Sequence, residues 1–435
     1  MQLSRNQIII VSVIGGVILI FALVFLGILP GLQNQKANPA NIKATLNFWG
    51  VGDPSSAYTT AIQSFNATYK NVTINYKSFP DAQTYKSAVL NALAAGEGPD
   101  IFMVPSTDIQ ANLNKIAPVP ATQFTLLNLQ QLFPPVVAQD LVAQNQVYGL
   151  PLSIDTLGLI YNRSLFDAAG VPLPSTWKSW NDFIKYVPDL VQKDASGNLA
   201  QAAAAIGGTN GNIDHASDIL ALLFLQNGVA LDSRTGNFNI NSQAAQNALT
   251  FYAQFASPSS ADYTWNAAMP DSLSAFAQGK VAMIFDYESA LPAIKAQNQF
   301  IDAETAMTPQ PQGGTPVAYP NYWAYVVSKQ SRNAALAWAF LLNMTTNAQN
   351  ATAYVTATGK PPALNSVIYN YESDPVLSPF ARQALIAKSW YQANPASEAQ
   401  ILSDAIQSVV AGSSTVQTAL SQAQNQIYQL TQPSY

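Results

Sequence analysis

The length of 435 residues and the 49% content of hydrophobic residues predict a folded protein of two or three domains. The absence of cysteine excludes disulfides, thiolate metal sites, cysteine nucleophiles and a lipid anchor on cysteine, and the single histidine excludes a multi-histidine metal site. The net charge of −5, with only 10% charged residues, argues against nucleic-acid binding, which requires clustered Lys and Arg.

The first segment is an apolar run at residues 8–29 without a charged side chain. As a helix it would span about 33 Å, enough for a bilayer core of about 30 Å. Arg5 precedes the run and the next charge is Lys36, so the positive-inside rule makes residues 1–30 a cytoplasmic tail and single-pass anchor in the cell membrane, with the bulk of the chain extracytoplasmic. A cleaved signal peptide is the alternative, but its apolar region would usually be shorter and end in small residues. The polar residues 31–42 predict a tether.

Strands and helices then alternate. Apolar and polar residues alternate at 44–49 and 72–76, which predicts strands, and the continuous apolar run at 101–104 predicts a short buried strand. Apolar residues at helical spacing predict helices at 58–69 and 81–96. This order predicts a mostly parallel α/β sheet, in which ligands bind beyond the carboxyl ends of the strands.

The remaining chain continues in the same way, without an internal repeat. Further strands are predicted at 157–161, 281–286 and 323–328, and further helices at 177–190, 215–226 and 242–255. From residue 333 onward the pattern is helical.

Five segments occur in an order that is typical of one protein family. Residues 94–101 read Ala-Ala-Gly-Glu-Gly-Pro-Asp-Ile, and residues 148–152 read Tyr-Gly-Leu-Pro-Leu. Residues 159–177 contain Leu-Ile-Tyr-Asn-Arg-Ser-Leu-Phe, Ala-Gly-Val-Pro and Thr-Trp in that order. Residues 276–283 read Phe-Ala-Gln-Gly-Lys-Val-Ala-Met, and residues 337–341 read Ala-Trp-Ala-Phe-Leu. In this order the segments resemble the maltose-binding-protein-like family of extracellular solute-binding proteins.

The resemblance implies an α/β, two-lobed periplasmic-binding-protein fold of type II, here preceded by the transmembrane helix. Mapping the family's pattern onto the chain gives two lobes: 43–151 with 308–345, and 152–307 with 346–435. Hinges are expected near Pro151 and Thr308, where the chain would pass between lobes and absorb the dihedral changes of closure.

Carbohydrates present flat apolar faces rimmed by hydroxyls, so their binding sites need aromatic platforms with fixed polar partners. Aromatic residues at strand ends and in loops are therefore ligand-binding candidates: Trp49, Trp265, Tyr287, Tyr322, Trp323 and Trp390. The tryptophans within helical patterns are predicted to be core residues: Trp177, Trp180 and Trp338.

The polar ligand-binding candidates lie at strand ends, in loops and at the predicted lobe crossing: Asp53, Asp100, Asp108, Asp155, Asn210, Asp286 and Asn321. Asp100 could instead cap the next turn, and His215 is interpreted as a capping or surface imidazole. The family's ligand does not carry over, because the Trp-x-x-Asp-Arg cluster of the maltose binder is absent at residues 104–108 and its aromatic pair after residue 283 is missing. The chain has only five arginines, which disfavours phosphorylated or carboxylate ligands.

The resemblance therefore implies a monomeric binding protein that captures a neutral oligosaccharide between its lobes and delivers it to an ABC-type permease. No cofactor, metal or catalytic residue is predicted. One alternative is a glycan-sensing or adhesion receptor with the same fold. Another is a glycoside-active enzyme, for which Asp286 with Glu288 is the nearest carboxylate pair.

Overall fold

The computed structural model describes residues 39–232 and 237–431. None of the helices in these two ranges combines the length and the apolar character needed to cross a bilayer. The predicted anchor at residues 8–29 lies outside the described residues.

The described chain divides into two units of unequal size. The small unit contains residues 39–45 and 65–73, and within it Asn71 Nδ2 donates a hydrogen bond of 2.7 Å to the carbonyl of Ala40. The large unit contains the rest and carries the features described below.

The strands and helices follow in chain order. Strands β1 to β16 are Ala44–Val51, Val72–Phe79, Ile101–Pro105, Ile116–Ala117, Val142–Ala143, Gln146–Val147, Asp155–Thr156, Gly158–Asn162, Gln192–Lys193, Leu199–Ala205, Leu231–Asp232, Asn237–Phe238, Val281–Asp286, Ala303–Ala306, Pro320–Asn321 and Trp323–Ser328. Helices α1 to α16 are Thr59–Thr68, Ala82–Ala94, Leu126–Leu132, Pro135–Leu141, Arg163–Ala169, Trp180–Leu190, Ala216–Gln226, Gln243–Ala253, Ser272–Ala277, Leu291–Gln297, Ala334–Thr346, Ala348–Thr358, Asn365–Ile368, Ser378–Ala384, Pro395–Val410 and Val416–Leu430.

The first sheet has the strand order β2-β1-β3-β16-β4. Strand β1 runs parallel to β3, with Phe48 opposite Ile101, as the alternation of strands and helices predicts. Strand β16 runs antiparallel to β3, with Trp323 opposite Pro105. The end of β3 and the start of β16 therefore lie side by side at one edge of the sheet.

The second sheet has the strand order β14-β8-β13-β10-β9. Strand β10 runs parallel to β13, and β8 runs antiparallel to β13 and β14. The sequence did not predict β10, because its Ala-rich segment has low strand propensity. Its residues from Ala202 to Ala205 are fully buried, so burial in the sheet overrides local preference.

Three short stretches of chain connect the two sheets, and they pair with one another. Asp155 in β7 lies opposite Asn321 in β15, and Ser153 forms an isolated bridge with Pro362. Side chains on these stretches therefore meet at the junction of the sheets.

The contacts of two other segments show where the chain changes sheet. The backbone N–H and the hydroxyl of Thr308 both donate to Gln383 Oε1 at 2.8 Å, and Gln383 lies in α14, which packs against β14 of the second sheet. Helix α12, in contrast, contacts the loop after β1, where the Tyr354 hydroxyl donates to Asp53 at 3.0 Å. Thr308 therefore lies beside the second sheet and α12 beside the first.

The helix-borne tryptophans have different environments. Trp180 and Trp338 are buried, as predicted. Trp177 is only partly buried: its ring stacks on Tyr186 at 5.7 Å, and its Nε1 donates to the carbonyl of Pro172 at 3.0 Å.

Candidate ligand-binding site

A cavity opens where the adjoining ends of β3 and β16 meet the paired connecting stretches. It contains about 600 Å³ of empty space, including the part open to solvent. Its lining residues are Met103, Ser153, Asp155, Ser289, Asn321, Tyr322, Trp323, Tyr325, Tyr354 and Lys360. Aromatic rings and fixed polar groups converge here, which is the general pattern of a small-molecule site.

Trp323 packs against the buried Tyr85 and lies close to the exposed Lys86. Its ring meets the ring of Tyr85 edge-on, with the centroids 5.8 Å apart, and Lys86 Nζ lies 5.9 Å from the Trp323 centroid. Tyr85 is fixed in turn, because its hydroxyl accepts from the N–H of Met103 at 2.6 Å and donates to the Met103 carbonyl at 2.9 Å. Trp323 itself remains partly exposed, so it can serve as a rigid platform.

Tyr322 and Asn321 give the same wall its polar groups. Tyr322 is buried, and its hydroxyl donates to Asp140 Oδ2 at 2.8 Å. Burial, followed by the charge of Asp140, raises the pKa of Tyr322 well above its ordinary value, so the phenol stays a neutral donor. Asn321 is exposed beside it and can exchange hydrogen bonds with a ligand.

A buried charge network forms one side of the cavity. Asp53 is 1% exposed, and its Oδ2 accepts hydrogen bonds from the hydroxyls of Tyr58 at 2.7 Å and Tyr354 at 3.0 Å. Its Oδ1 accepts from Lys360 Nζ at 2.5 Å. Burial raises the pKa values of both tyrosines well above the ordinary range, which keeps them as donors to the carboxylate. Asp53 is thus satisfied within the protein, and Lys360 is the member of the pair that lines the cavity.

Asp155 fixes the turn after β13. Its Oδ1 accepts from the N–H groups of Thr156 at 2.9 Å and Glu288 at 3.1 Å, and its Oδ2 accepts from the N–H of Ser289 at 3.2 Å. Burial raises the pKa of Asp155 to about 7; the amide bonds oppose this shift, and the charge of Asp286 adds a little to it. The carboxyl group therefore titrates near neutral pH.

Glu288 lies behind this turn. Burial, followed by the charge of the neighbouring Asp155, raises the pKa of Glu288 to about 8, against the opposing effect of Lys360. The two carboxyl groups disfavour each other's ionisation.

A second charged cluster adjoins that turn. His215 has a left-handed backbone, with φ of 61°, and precedes α7. Its Nδ1 and Nε2 lie 3.3 Å from Asp218 and 3.6 Å from Asp286, and its ring meets Tyr287 edge-on at 4.7 Å. Burial lowers the pKa of His215, but the hydrogen bond to Asp218 and the nearby carboxylates outweigh it and raise the pKa to about 9. Within residues 39–232 and 237–431, neither this cluster nor any other is arranged to hold a metal ion.

The structure brings several predicted ligand residues together. The cavity is lined by Asp155, Asn321, Tyr322 and Trp323. Asp53 reaches it through Lys360. The cluster around His215 contains Asp286 and Tyr287, both buried.

Trp49 and Asp100 lie outside the cavity. Trp49 is partly buried, and its ring packs against Phe79 at 5.4 Å. Asp100 accepts from the N–H of Asn47 at 2.9 Å and from the Ser331 hydroxyl at 2.5 Å, so it fixes local backbone.

Asp108 and Asn210 also have partners of their own. Asp108 forms an ion pair of 3.3 Å with Lys86. Asn210 Oδ1 accepts from the N–H of Ser217 at 3.0 Å at the start of α7. Neither residue lines the cavity.

Trp265 and Trp390 are core residues in this conformation. Trp265 is 0% exposed, because its loop is pulled against β10 by Thr264 Oγ1, which accepts from the N–H of Ala203 at 2.7 Å. Trp390 is 6% exposed and stacks on Phe238 with the centroids 5.9 Å apart. Neither ring lines the cavity.

Sequence reasoning missed part of the cavity: Met103, Ser153, Ser289, Tyr325, Tyr354 and Lys360. The sequence does contain one signal for Lys360, which is the glycine before it. Gly359 adopts φ of 74° at the end of α12, so the chain leaves the helix axis before Lys360. Nothing local indicates that Lys360 reaches Asp53, from which it is separated by 307 positions.

Comparison with known proteins agrees with this fold. A profile of the family described as bacterial extracellular solute-binding protein matches residues 60–378. The multiple sugar-binding protein of Streptococcus mutans is 24% identical over 261 residues, which are 58% of this chain. The aligned part spans only 59% of the length of that relative.

Two solved structures share the fold at low sequence identity. The cyclic alpha-maltosyl-1,6-maltose binding protein of Arthrobacter globiformis has a TM-score of 0.75 and 16% identity, over 89% of this chain and 99% of its own. A cyclo/maltodextrin-binding protein complexed with maltotetraose has a TM-score of 0.72 and 17% identity, over 88% of this chain and 96% of its own. With the profile match over residues 60–378 and this shared two-lobed α/β fold, the chain belongs to the bacterial extracellular solute-binding proteins.

Proposed function

We propose that the protein captures a carbohydrate in the cavity at the junction of its two sheets and delivers it to an ABC importer. The observation that carries this proposal is the convergence of Trp323 and Tyr322 with the polar groups of Asn321, Ser153 and Ser289. An indole face suits the apolar C–H face of a sugar, and the polar groups suit its hydroxyls. The names of the Streptococcus mutans relative and of the maltotetraose complex support this ligand class.

The charges of the wall favour a neutral oligosaccharide. The lining includes one cationic side chain, Lys360, whose charge is already offset by Asp53 at 2.5 Å. No arginine is among the described lining residues, whereas carboxylate and phosphate ligands usually require one.

Binding is proposed to close two lobes about the paired connecting stretches. We propose hinges at the β7–β15 pair and at the segment around Pro362, instead of those expected near Pro151 and Thr308, and the contacts of Thr308 and α12 support this choice. A ligand that contacts both lobes favours the closed form by its differential affinity. Small-angle scattering should show a monomer whose radius of gyration falls on saturation; an unchanged radius with binding confirmed by calorimetry contradicts closure.

The apolar residues 8–29 are proposed to anchor the protein to the membrane, with the bulk of the chain extracytoplasmic. Support comes from the length of the run and from the extracellular character of the family. The protein should stay in membranes after a carbonate wash with its N-terminal peptide intact. A mature N-terminus between residues 30 and 45 would contradict the anchor.

The ligand class is tested by calorimetry against neutral malto- and galacto-oligosaccharides, with sugar phosphates and uronic acids as charged controls. At 100 times its dissociation constant a true ligand should add about 2.7 kcal/mol to the free energy of unfolding. Binding of the charged sugars alone would overturn the neutral class, and binding of no sugar would overturn the function.

Binding is proposed to occur without turnover. Asp155 is the one carboxylate among the described lining residues, so the cavity lacks the carboxylate pair that glycoside hydrolysis usually requires. Prolonged incubation with each bound oligosaccharide should leave its chain length unchanged by mass spectrometry. New shorter products from pure protein would revive the enzyme alternative.

A further inference from the structure

The carboxylate of Asp140 accepts hydrogen bonds from the cavity residue Tyr322 and from Ser389. Asp140 lies in α4, beside the first sheet. Its Oδ2 accepts from the hydroxyl of Tyr322, a cavity residue, at 2.8 Å. Its Oδ1 accepts from the hydroxyl of Ser389.

Ser389 belongs to the other side of the molecule. The next residue, Trp390, is part of the core that packs on the second sheet. The preceding residue, Lys388, donates its N–H to the carbonyl of Ala318 at 3.0 Å. The hydrogen bond between Asp140 and Ser389 therefore links elements of the two proposed lobes.

Gln139 makes a second link at the same place. Its Nε2 donates to the carbonyl of Ser389 at 2.7 Å, and its Oε1 accepts from the N–H of Ser389 at 3.4 Å. Ser389 is 7% exposed, so water competes little for these bonds. The bonds of Gln139 and Asp140 to Ser389 are named the latch here.

We propose that the latch lets the unliganded protein populate the closed form for part of the time, and that Asp140 is a positioning residue that couples lobe closure to the orientation of Tyr322 in the cavity wall. The inference rests on the proposed closure. When the latch opens, the Asp140 carboxylate loses one partner, and its bond to Tyr322 is no longer fixed from both sides. A ligand that needs an ordered Tyr322 therefore binds best when the latch is closed.

The latch also sets the apparent affinity for a ligand. For a ligand that binds the closed form, the apparent dissociation constant equals the intrinsic one divided by the fraction of protein that is closed. Loss of the Ser389 hydroxyl removes a hydrogen bond to a charged group, an effect of roughly tenfold on the closed-to-open ratio.

The test measures the separation of the lobes directly. The chain has no cysteine, so spin labels attach only at introduced sites. Leu90 in α2 is 57% exposed and Phe300 after α10 is 86% exposed. The two residues belong to segments that accompany different sheets. Leu90→Cys with Phe300→Cys gives a labelled parent whose distance distribution is recorded by electron resonance without any sugar.

Ser389→Ala should broaden the distribution toward longer distances, and Gln139→Ala with Ser389→Ala should do so further. Ser331→Ala is the matched control, because it also removes a serine hydroxyl bond to an aspartate, Asp100, but one within a single sheet region. Identical distributions for Ser389→Ala and Ser331→Ala would overturn the latch. This comparison needs no ligand, so it fails or succeeds independently of the proposed sugar function.

The coupling is tested by affinity. Tyr322→Phe keeps the ring but removes the donated bond, so it should weaken binding of the oligosaccharide identified by calorimetry. Because coupling is reciprocal, it should also shift the distances toward longer values, but less than Ser389→Ala does, since the bonds of Gln139 and Asp140 to Ser389 remain. Asp140→Ala should lengthen the distances and weaken oligosaccharide binding. Asp140→Asn keeps one accepting oxygen, so its distances and its affinity should lie between those of Asp140→Ala and those of the parent. Unchanged affinity in Tyr322→Phe, or no rescue by Asp140→Asn in a variant that melts like the parent, would overturn the positioning role.

Discussion

The ammonium nitrogen of Lys360 lies 2.5 Å from Oδ1 of Asp53, a carboxylate that is 1% exposed. This ion pair joins the segment after α12 to the loop after β1, across 307 positions of sequence. Since Lys360 also lines the cavity, the pair both neutralises the wall and ties a connecting stretch to the first sheet.

Replacing Lys360 by Met should destabilise the fold, because it leaves a buried carboxylate without its countercharge. We expect a loss of about 2–3 kcal/mol in urea unfolding, somewhat less than for a fully buried pair since the Lys360 side chain is 34% exposed. Adding Asp53→Asn to Lys360→Met should recover most of the loss. The control is Lys86→Met, whose exposed pair with Asp108 should cost less than about 1 kcal/mol. Equal losses in the two single variants would contradict a structural role for the buried pair.

The sequence predicted those cavity residues that flank predicted strands. Asp155, Asn321 and Trp323 lie at such positions, and strand ends meet in an α/β fold. Lys360 and Tyr354 could not be predicted, because they come from a helical region and reach the site only through tertiary packing.

Two predicted ligand residues have partners within the protein, and each case has a local physical cause. Trp265 was predicted to face a ligand because its segment reads as a loop, but Thr264 binds β10 and carries Trp265 into the core. Asp53 was predicted to contact a ligand directly, and the tyrosine hydroxyls that instead satisfy it come from three separate segments, at Tyr58, Tyr325 and Tyr354. Periodicity identifies elements, whereas side-chain partners depend on how the elements pack.

Glu288→Gln should flatten the dependence of stability on pH. The pKa of Glu288 is raised to about 8 in the folded protein, from an ordinary value near 4.5 in the unfolded chain. Its protonated form therefore stabilises the fold at low pH, and this contribution is lost as the pH rises from about 4.5 through 8. At pH 8.5 the variant should be more stable than the parent by about 2–4 kcal/mol in urea unfolding. The exposed Glu97→Gln is the control, and parallel pH profiles for Glu288→Gln and the parent would contradict the buried position of this carboxyl group.

The single histidine allows a direct titration of the second charged cluster. In untagged protein the His215 imidazole resonances should titrate with a midpoint near pH 9, since its hydrogen bond to Asp218 and the nearby carboxylates outweigh burial. Asp218→Asn should lower the midpoint, and Asp167→Asn, which is remote from the cluster, should not. A midpoint near the ordinary 6.5 in the parent would show that the cluster does not form in solution.

Trp265→Ala should act on stability and not on binding. The ring is 0% exposed, so its removal leaves a cavity and should cost about 3–5 kcal/mol of unfolding free energy. Calorimetry at a temperature where the variant is folded should give the parent's affinity per folded molecule. A large loss of affinity in a variant with an unchanged melting temperature would show that Trp265 contacts the ligand.

Trp323→Ala should do the opposite, because this ring is partly exposed and lines the cavity. Loss of an aromatic platform should weaken oligosaccharide binding by about 1–3 kcal/mol, and Trp323→Phe should lose less since it keeps a smaller face. The matched control is Trp177→Ala, which removes another partly exposed tryptophan, one that stacks on Tyr186 away from the cavity. Bound sugar should also change the tryptophan fluorescence of the parent, and this change should shrink in Trp323→Ala while persisting in Trp177→Ala. Equal affinities and equal fluorescence changes in the two alanine variants would show that Trp323 does not contact the ligand. Recognition would then depend on the polar groups around Asn321 and Ser289.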